Sequence, residues 1–233
     1  MSSLNILSGG AAQGLVASLT PAFKALTGFE IAGEFGAVGV MADKLRQGTP
    51  ADIVILTAAL LAKLAQEKLV VSASITDVGL VETALAVRAG DPEVSVRDEA
   101  DLRRVLLAAD AIFVPDTRAS TAGIHVAKVL QQLGIAEQVA GRLQIFPNGA
   151  TAMRELAASK ARRPIGCTQS TEIISTQGVN PSGSLPAGCE LATMYTAGIT
   201  TAAAHPSQAQ HLIDLLTGAG QHEQRARAGF VSR

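Results

Sequence analysis

One repeated order constrains this chain more than anything else. A short apolar run is followed by a loop of small residues, and then by apolar residues at helical spacing. Leu4–Leu7 reads as a strand, "SGGAAQ" follows it, and Leu15–Leu26 reads as a helix stopped by Thr27-Gly28. Glu30–Phe35 alternates as a strand, and "GAVG" turns it into the helix Val40–Gln47. "ADIVIL", residues 51–56, is a continuous apolar run, as in a strand covered on both faces, and the helix Ala58–Glu67 comes next. Three such β-α steps make an α/β fold with a parallel sheet the economical solution.

A second α/β series follows. "TALAVRAG" (83–90) and "AIFVPD" (111–116) read as strands, and between them "DPEVSVRDEADLRRVLLAA" moves into a helix. Thr121–Leu133 reads as a helix closed by Gly134. "RLQIFP" leads into the helix "NGATAMRELAASKA", and "RPIGCT" is a further short strand. After Cys189, "ELATMYTAGITTAA" is strand-like, Ser207–Leu216 is a helix, and the polar tail is a weak final helix or a frayed end.

Composition narrows the function. A chain of 233 residues can bury a sizeable core as one domain or two lobes. Its net charge of -1 provides no pull toward nucleic acid. With no Trp and a single Tyr, it lacks the material for stacking platforms. Cys167 and Cys189 read as buried thiols, because two cysteines do not specify a disulfide. The four His are scattered, so neither a metal nor a cofactor is expected. No apolar run approaches a membrane span. "MSSLNILSGG" enters a strand with no export signal, so the chain as written is expected in the cytoplasm. If such a signal had been removed, the expectation is the periplasm.

Binding sites in such sheets form where strands end and helices begin. Four junctions qualify: "LSGGAAQ", "FGAVG", "PDTRASTAG" and "FPNGAT". All are rich in small residues, which let backbone N–H groups reach a small anion at the positive end of a helix. "GGAAQG" lacks the Gly-Lys-Ser/Thr ending of a phosphate-cradling loop.

At these residues the chain resembles the type 2 periplasmic solute-binding proteins of the molybdate-binding kind. The resemblance rests on the first strand and its small-residue loop, on "FGAVG", on "QGTPAD" before the buried strand, on "TAGIHVAK" and on "MYTAGI". It implies a two-lobe clamshell, each lobe a mostly parallel sheet flanked by helices. Residues 1–81 and 194–233 would form lobe 1 and residues 82–193 lobe 2, joined by hinge crossovers near 80–84 and 189–194. The lobes would close on a small anion held by Ser8, Gly9, Gly10, Ala11, Ala12, Ala37, Val38, Gly39, Ser120, Thr121, Ala122, Ala150 and Thr151. Tyr195 matches the family's binding tyrosine.

The departures point to the ligand. The family holds a tetrahedral oxyanion partly with two serine hydroxyls. Ala11 stands in one of those places, and Ala37 or Val38 in the other. Losing two donors leaves oxyanion acceptors unpaired in a closed site. Ser8 is one source of a replacement hydroxyl. Arg118 adds a bidentate fork suited to a carboxylate, beside a helix start where Ser120 or Thr121 is the expected N-cap. The first reading is therefore a solute-binding protein for an organic (poly)carboxylate, delivering it to an ABC permease if exported, with no membrane insertion of its own. The alternative is an intracellular isomerase of an unsaturated polycarboxylate, a looser resemblance to the aconitate isomerase branch. His125 would then move the proton, while Glu34 and Glu172 are expected as surface carboxylates. A molybdate- or tungstate-binding protein of an ABC transporter is the second alternative.

Overall fold

The structure, a computed structural model, describes residues 2–231. In chain order it begins with β1 (Ser3–Gly9), α1 (Gln13–Thr27), β2 (Glu30–Gly36), α2 (Val38–Arg46), β3 (Ile53–Thr57) and α3 (Ala58–Gln66). Next come β4 (Thr76–Arg88), α4 (Glu99–Ala108), β5 (Ala111–Pro115), α5 (Thr121–Gln132) and α6 (Ala136–Val139). Then follow β6 (Leu143–Phe146), α7 (Gly149–Ala158), β7 (Pro164–Gln169), α8 (Ser170–Ile174) and β8 (Val179–Ser184). The described chain closes with β9 (Ala192–Ile199), α9 (Pro206–Thr217) and α10 (His222–Arg227).

Two compact units result, Met1–Val81 with Thr193–Arg233, and Glu82–Ala192. In the first, the strand order is β2-β1-β3-β9. β1 pairs in parallel with β2 and β3, and β9 runs antiparallel to β3, with Thr57 opposite Tyr195. β3 is buried along its whole length, as its unbroken apolar run requires. Leu15, Leu19 and Phe23 of α1 pack onto this sheet together with Leu212 and Leu216 of α9. Each such side chain contributes about 1.5–3 kcal/mol by leaving water. Asp52, 1% exposed, fastens the layers: its carboxylate accepts the Asn5 and His205 amides, each at 2.8 Å.

In the second unit the order is β4-β7-β5-β6, with β8 on the other side of β4. β5 is parallel to both β6 and β7, and β4 is antiparallel to β7 and β8. β4 and β9 both carry the chain across the unit boundary. Up to residue 231 the tail is structured: α10 forms, Phe230 is 3% exposed, and Val231 bridges to Leu80. Cys167 and Cys189 are free thiols, and burial pushes Cys167 up to about 12. Among the described residues no helix is long and apolar enough to cross a membrane.

Candidate functional site

In the first unit, β1 and β2 end side by side, with Gly9 opposite Gly36. A 3-10 turn, Gly10–Ala12, leads from β1 into α1, and α2 leaves β2 through Ala37. None of these starts carries a side-chain cap, and Gly10, Ala11, Ala12, Ala37 and Val38 are buried. First-turn amides have no acceptor within their own helix, so a buried, uncapped start presents donors at the positive end of a dipole. Gly9 stands where these pieces meet. A Cβ there would lie 2.8 Å from Cγ1 of Val38 and 2.9 Å from Cε1 of Tyr195. Only a residue without a Cβ lets the loop, the α2 start and the Tyr195 ring approach so closely. Gly39 falls in the first turn of α2.

Ser8 departs from the expectation of a spare hydroxyl. It is fully buried, and its Oγ donates to the Gly9 carbonyl at 2.9 Å, so its proton is already engaged. Glu34 is a surface carboxylate paired with Lys44.

In the second unit, α5 begins beyond the end of β5. Oδ1 of Asp116 accepts the Arg118 and Ala119 amides at 2.7 and 2.9 Å, folding the loop into an Asx turn. Ser120 occupies the N-cap position, but its side chain makes no cap bond and Thr121 is the first helical residue. The α5 start is therefore also uncapped, with Ser120 and Ala122 buried. The exposed Arg118 guanidinium has no hydrogen-bond or ion-pair partner among the described residues. His125 lies one turn into α5. Its Nε2 is 2.8 Å from the Cys189 carbonyl, which only a ring N–H can satisfy, so the imidazole ties α5 to that loop.

The fourth junction differs from the other three. The α7 start is capped twice from within. Asn148 Oδ1 accepts the Thr151 amide at 2.8 Å. The Glu172 carboxylate accepts from the Gly149, Ala150 and Gln169 amides and from the Thr168 hydroxyl, the last at 2.5 Å. A Cβ on Gly149 would lie 1.8 Å from Oε2 of Glu172, so glycine is what admits the carboxylate. Two expectations change. Glu172 is 5% exposed rather than a surface group, and the amides of Ala150 and Thr151 already have acceptors. Burial raises the Glu172 carboxyl above its ordinary value despite its four donors. Asn148 could have been read as a cap from its residue type, and Glu172 from its place three residues after the α8 N-cap Gln169, whereas its approach to Gly149 and Ala150 has no local signal.

The structure thus groups Gly9, the Gly10–Ala12 turn, the α2 start and Tyr195 in the first unit. In the second it places Arg118 beside the α5 start and closes the α7 start. Among the described residues no cluster of His, Cys, Asp and Glu could hold a metal ion.

Comparison with known proteins bears on the fold and the family. A periplasmic molybdate-binding protein of Azotobacter vinelandii superposes with a TM-score of 0.82 over 99% of each chain, at 18% identity. A sulfate-binding protein of Mycobacterium tuberculosis superposes with a TM-score of 0.76 over 99% of this chain and 86% of that one, also at 18% identity. These likenesses establish the two-lobe fold of the type 2 periplasmic binding proteins. An aconitate isomerase of a Pseudomonas species is 22% identical over 224 residues, 93% of this chain and 82% of that protein. The family model for bacterial extracellular solute-binding proteins matches residues 4–231. The chain is a member of the bacterial extracellular solute-binding protein family.

Proposed function

We propose that this protein binds a small organic carboxylate and delivers it, outside the cytoplasmic membrane, to an ABC permease. The observation that carries the ligand class is the unpartnered Arg118 guanidinium beside the uncapped α5 start. A guanidinium matches a planar carboxylate with two parallel hydrogen bonds, and a helix start adds backbone donors. Ala11 and Ala37 supply no hydroxyl, and Ser8 is engaged, so the backbone donors of the first unit favour a small anion without fixing a tetrahedral one. The anchors proposed are Gly9–Ala12, Ala37–Gly39, Arg118, Ser120–Ala122 and Tyr195. Ala150 and Thr151 drop out because their amides are taken.

Arg118→Ala tests the reading. Losing one charge-assisted bond costs about 1.5–3 kcal/mol, so citrate should bind roughly 10- to 150-fold more weakly by calorimetry. Unchanged binding would return Arg118 to the role of a solvated loop residue.

Similarity to an aconitate isomerase favours a second reading, isomerisation of an unsaturated tricarboxylate. With Nε2 of His125 tied to Cys189, only Nδ1 remains to take up a proton. NMR of cis- and trans-aconitate incubated with the protein decides this. Constant isomer ratios are expected if the protein only binds, and drifting ratios would establish catalysis.

A further inference from the structure

We propose that Gln169, with Thr83 and Thr171, recognises a hydroxyl group on the ligand. This inference rests on the carboxylate reading above and narrows it to hydroxy-carboxylates. All three residues belong to the second unit. Gln169 ends β7, whose parallel partner β5 ends next to it and leads to α5. Thr83 is directly opposite Gln169 in the antiparallel β4–β7 pair, so their side chains share a face, with Cβ atoms about 4.5–5.5 Å apart. Thr171 lies in the first turn of α8, for which Gln169 holds the N-cap position without a side-chain cap bond.

The three side chains are 1%, 3% and 3% exposed, in the order Thr83, Gln169, Thr171. Oγ1 of Thr83, Oε1 and Nε2 of Gln169 and Oγ1 of Thr171 are all buried with no hydrogen-bond partner among the described residues. Leaving one such atom unpaired costs about 1–3 kcal/mol, so several gathered at the carboxyl edge of one sheet call for an explanation. Asp91, Thr193 and Thr196 each carry one such atom as well, whereas Gln169 leaves both ends of its amide unpaired.

The chemistry selects the ligand group. A carboxamide offers one acceptor and an NH2 donor. Molybdate, sulfate and carboxylate present acceptors only, and would leave Oε1 of Gln169 orphaned. A hydroxyl donates to Oε1 and accepts from Nε2 or a threonine hydroxyl, answering both halves of the amide.

The test compares citrate with propane-1,2,3-tricarboxylate, which keeps the three carboxylates and lacks the hydroxyl. Calorimetry on the wild-type chain should favour citrate by about tenfold or more, as for a site whose polar groups lose their partner. Gln169→Leu should reduce that preference to about twofold or less while propane-1,2,3-tricarboxylate binding persists, and its ligand-free melting temperature should not fall, because an unpaired polar group has been removed. Thr171→Val should give a smaller loss of preference, and it decides the matter if the leucine variant does not fold. Tricarboxylates that bind wild-type protein without hydroxyl preference would overturn the proposal, as would a preference that survives both substitutions. If neither acid binds and molybdate does, the carboxylate reading itself fails and this inference falls with it.

Discussion

Glu172 is a buried acid that serves as an internal ligand for a helix start. Burial holds its carboxyl above the ordinary value of 4.5. A carboxyl raised on folding contributes stability that is fully present below its unfolded pKa and is lost as pH climbs through the folded one. Glu172→Gln, fixed in the neutral state, removes that dependence. Urea unfolding of both proteins between about pH 4 and pH 8 should therefore shift in favour of the variant as pH rises, by at most about 1.4 kcal/mol per pH unit within the titration window. Parallel curves would contradict the raised value. No pattern in "QSTEIIS" distinguishes this glutamate from a solvated one. The Thr168 bond is local, but the fit against the glycine at 149 exists only after α7 has packed beside α8. The same holds for the unpaired Gln169, whose sequence neighbourhood is that of any strand end.

Among the helices, the candidate binding starts of α1, α2 and α5 carry no side-chain cap, a feature they share with α6, α8, α9 and α10, whereas α3, α4 and α7 are capped by Thr57, Asp98 and Asn148. Adding hydroxyls at the first-unit starts should restore oxyanion donors. Ala11→Ser with Ala37→Ser is predicted to strengthen molybdate binding at least about tenfold by calorimetry, since one bond to a charged group contributes about 1.5–3 kcal/mol. Unchanged molybdate binding would show that these positions do not face the anion. The β-α steps of the first unit were legible because apolar periodicity and turn glycines agree there. β8 was not, because Pro181 and Gly183 give it the look of a loop. A proline is tolerated there because β8 pairs only with β4, across a register shift between Ala84 and Ala86. α8, with five residues, is too short to show a period.

For the whole molecule, the order of strands, loops and helices indicated an α/β fold, the resemblance carried by the ordered motifs implied its two lobes, and family membership follows from a match spanning residues 4–231. Ligand identity is set by fewer atoms than fold, which is why one scaffold carries molybdate-binding, sulfate-binding and isomerase relatives. In the proposed reading those atoms are the alanines at positions 11 and 37, the unpartnered Arg118 and the closed α7 start. The most direct test is a calorimetric titration of the wild-type protein with citrate, malate and aconitate alongside molybdate and sulfate. The account predicts saturable binding of at least one of these carboxylates, tighter than that of either oxyanion. Submicromolar molybdate binding with no heat from any of the three acids would contradict it.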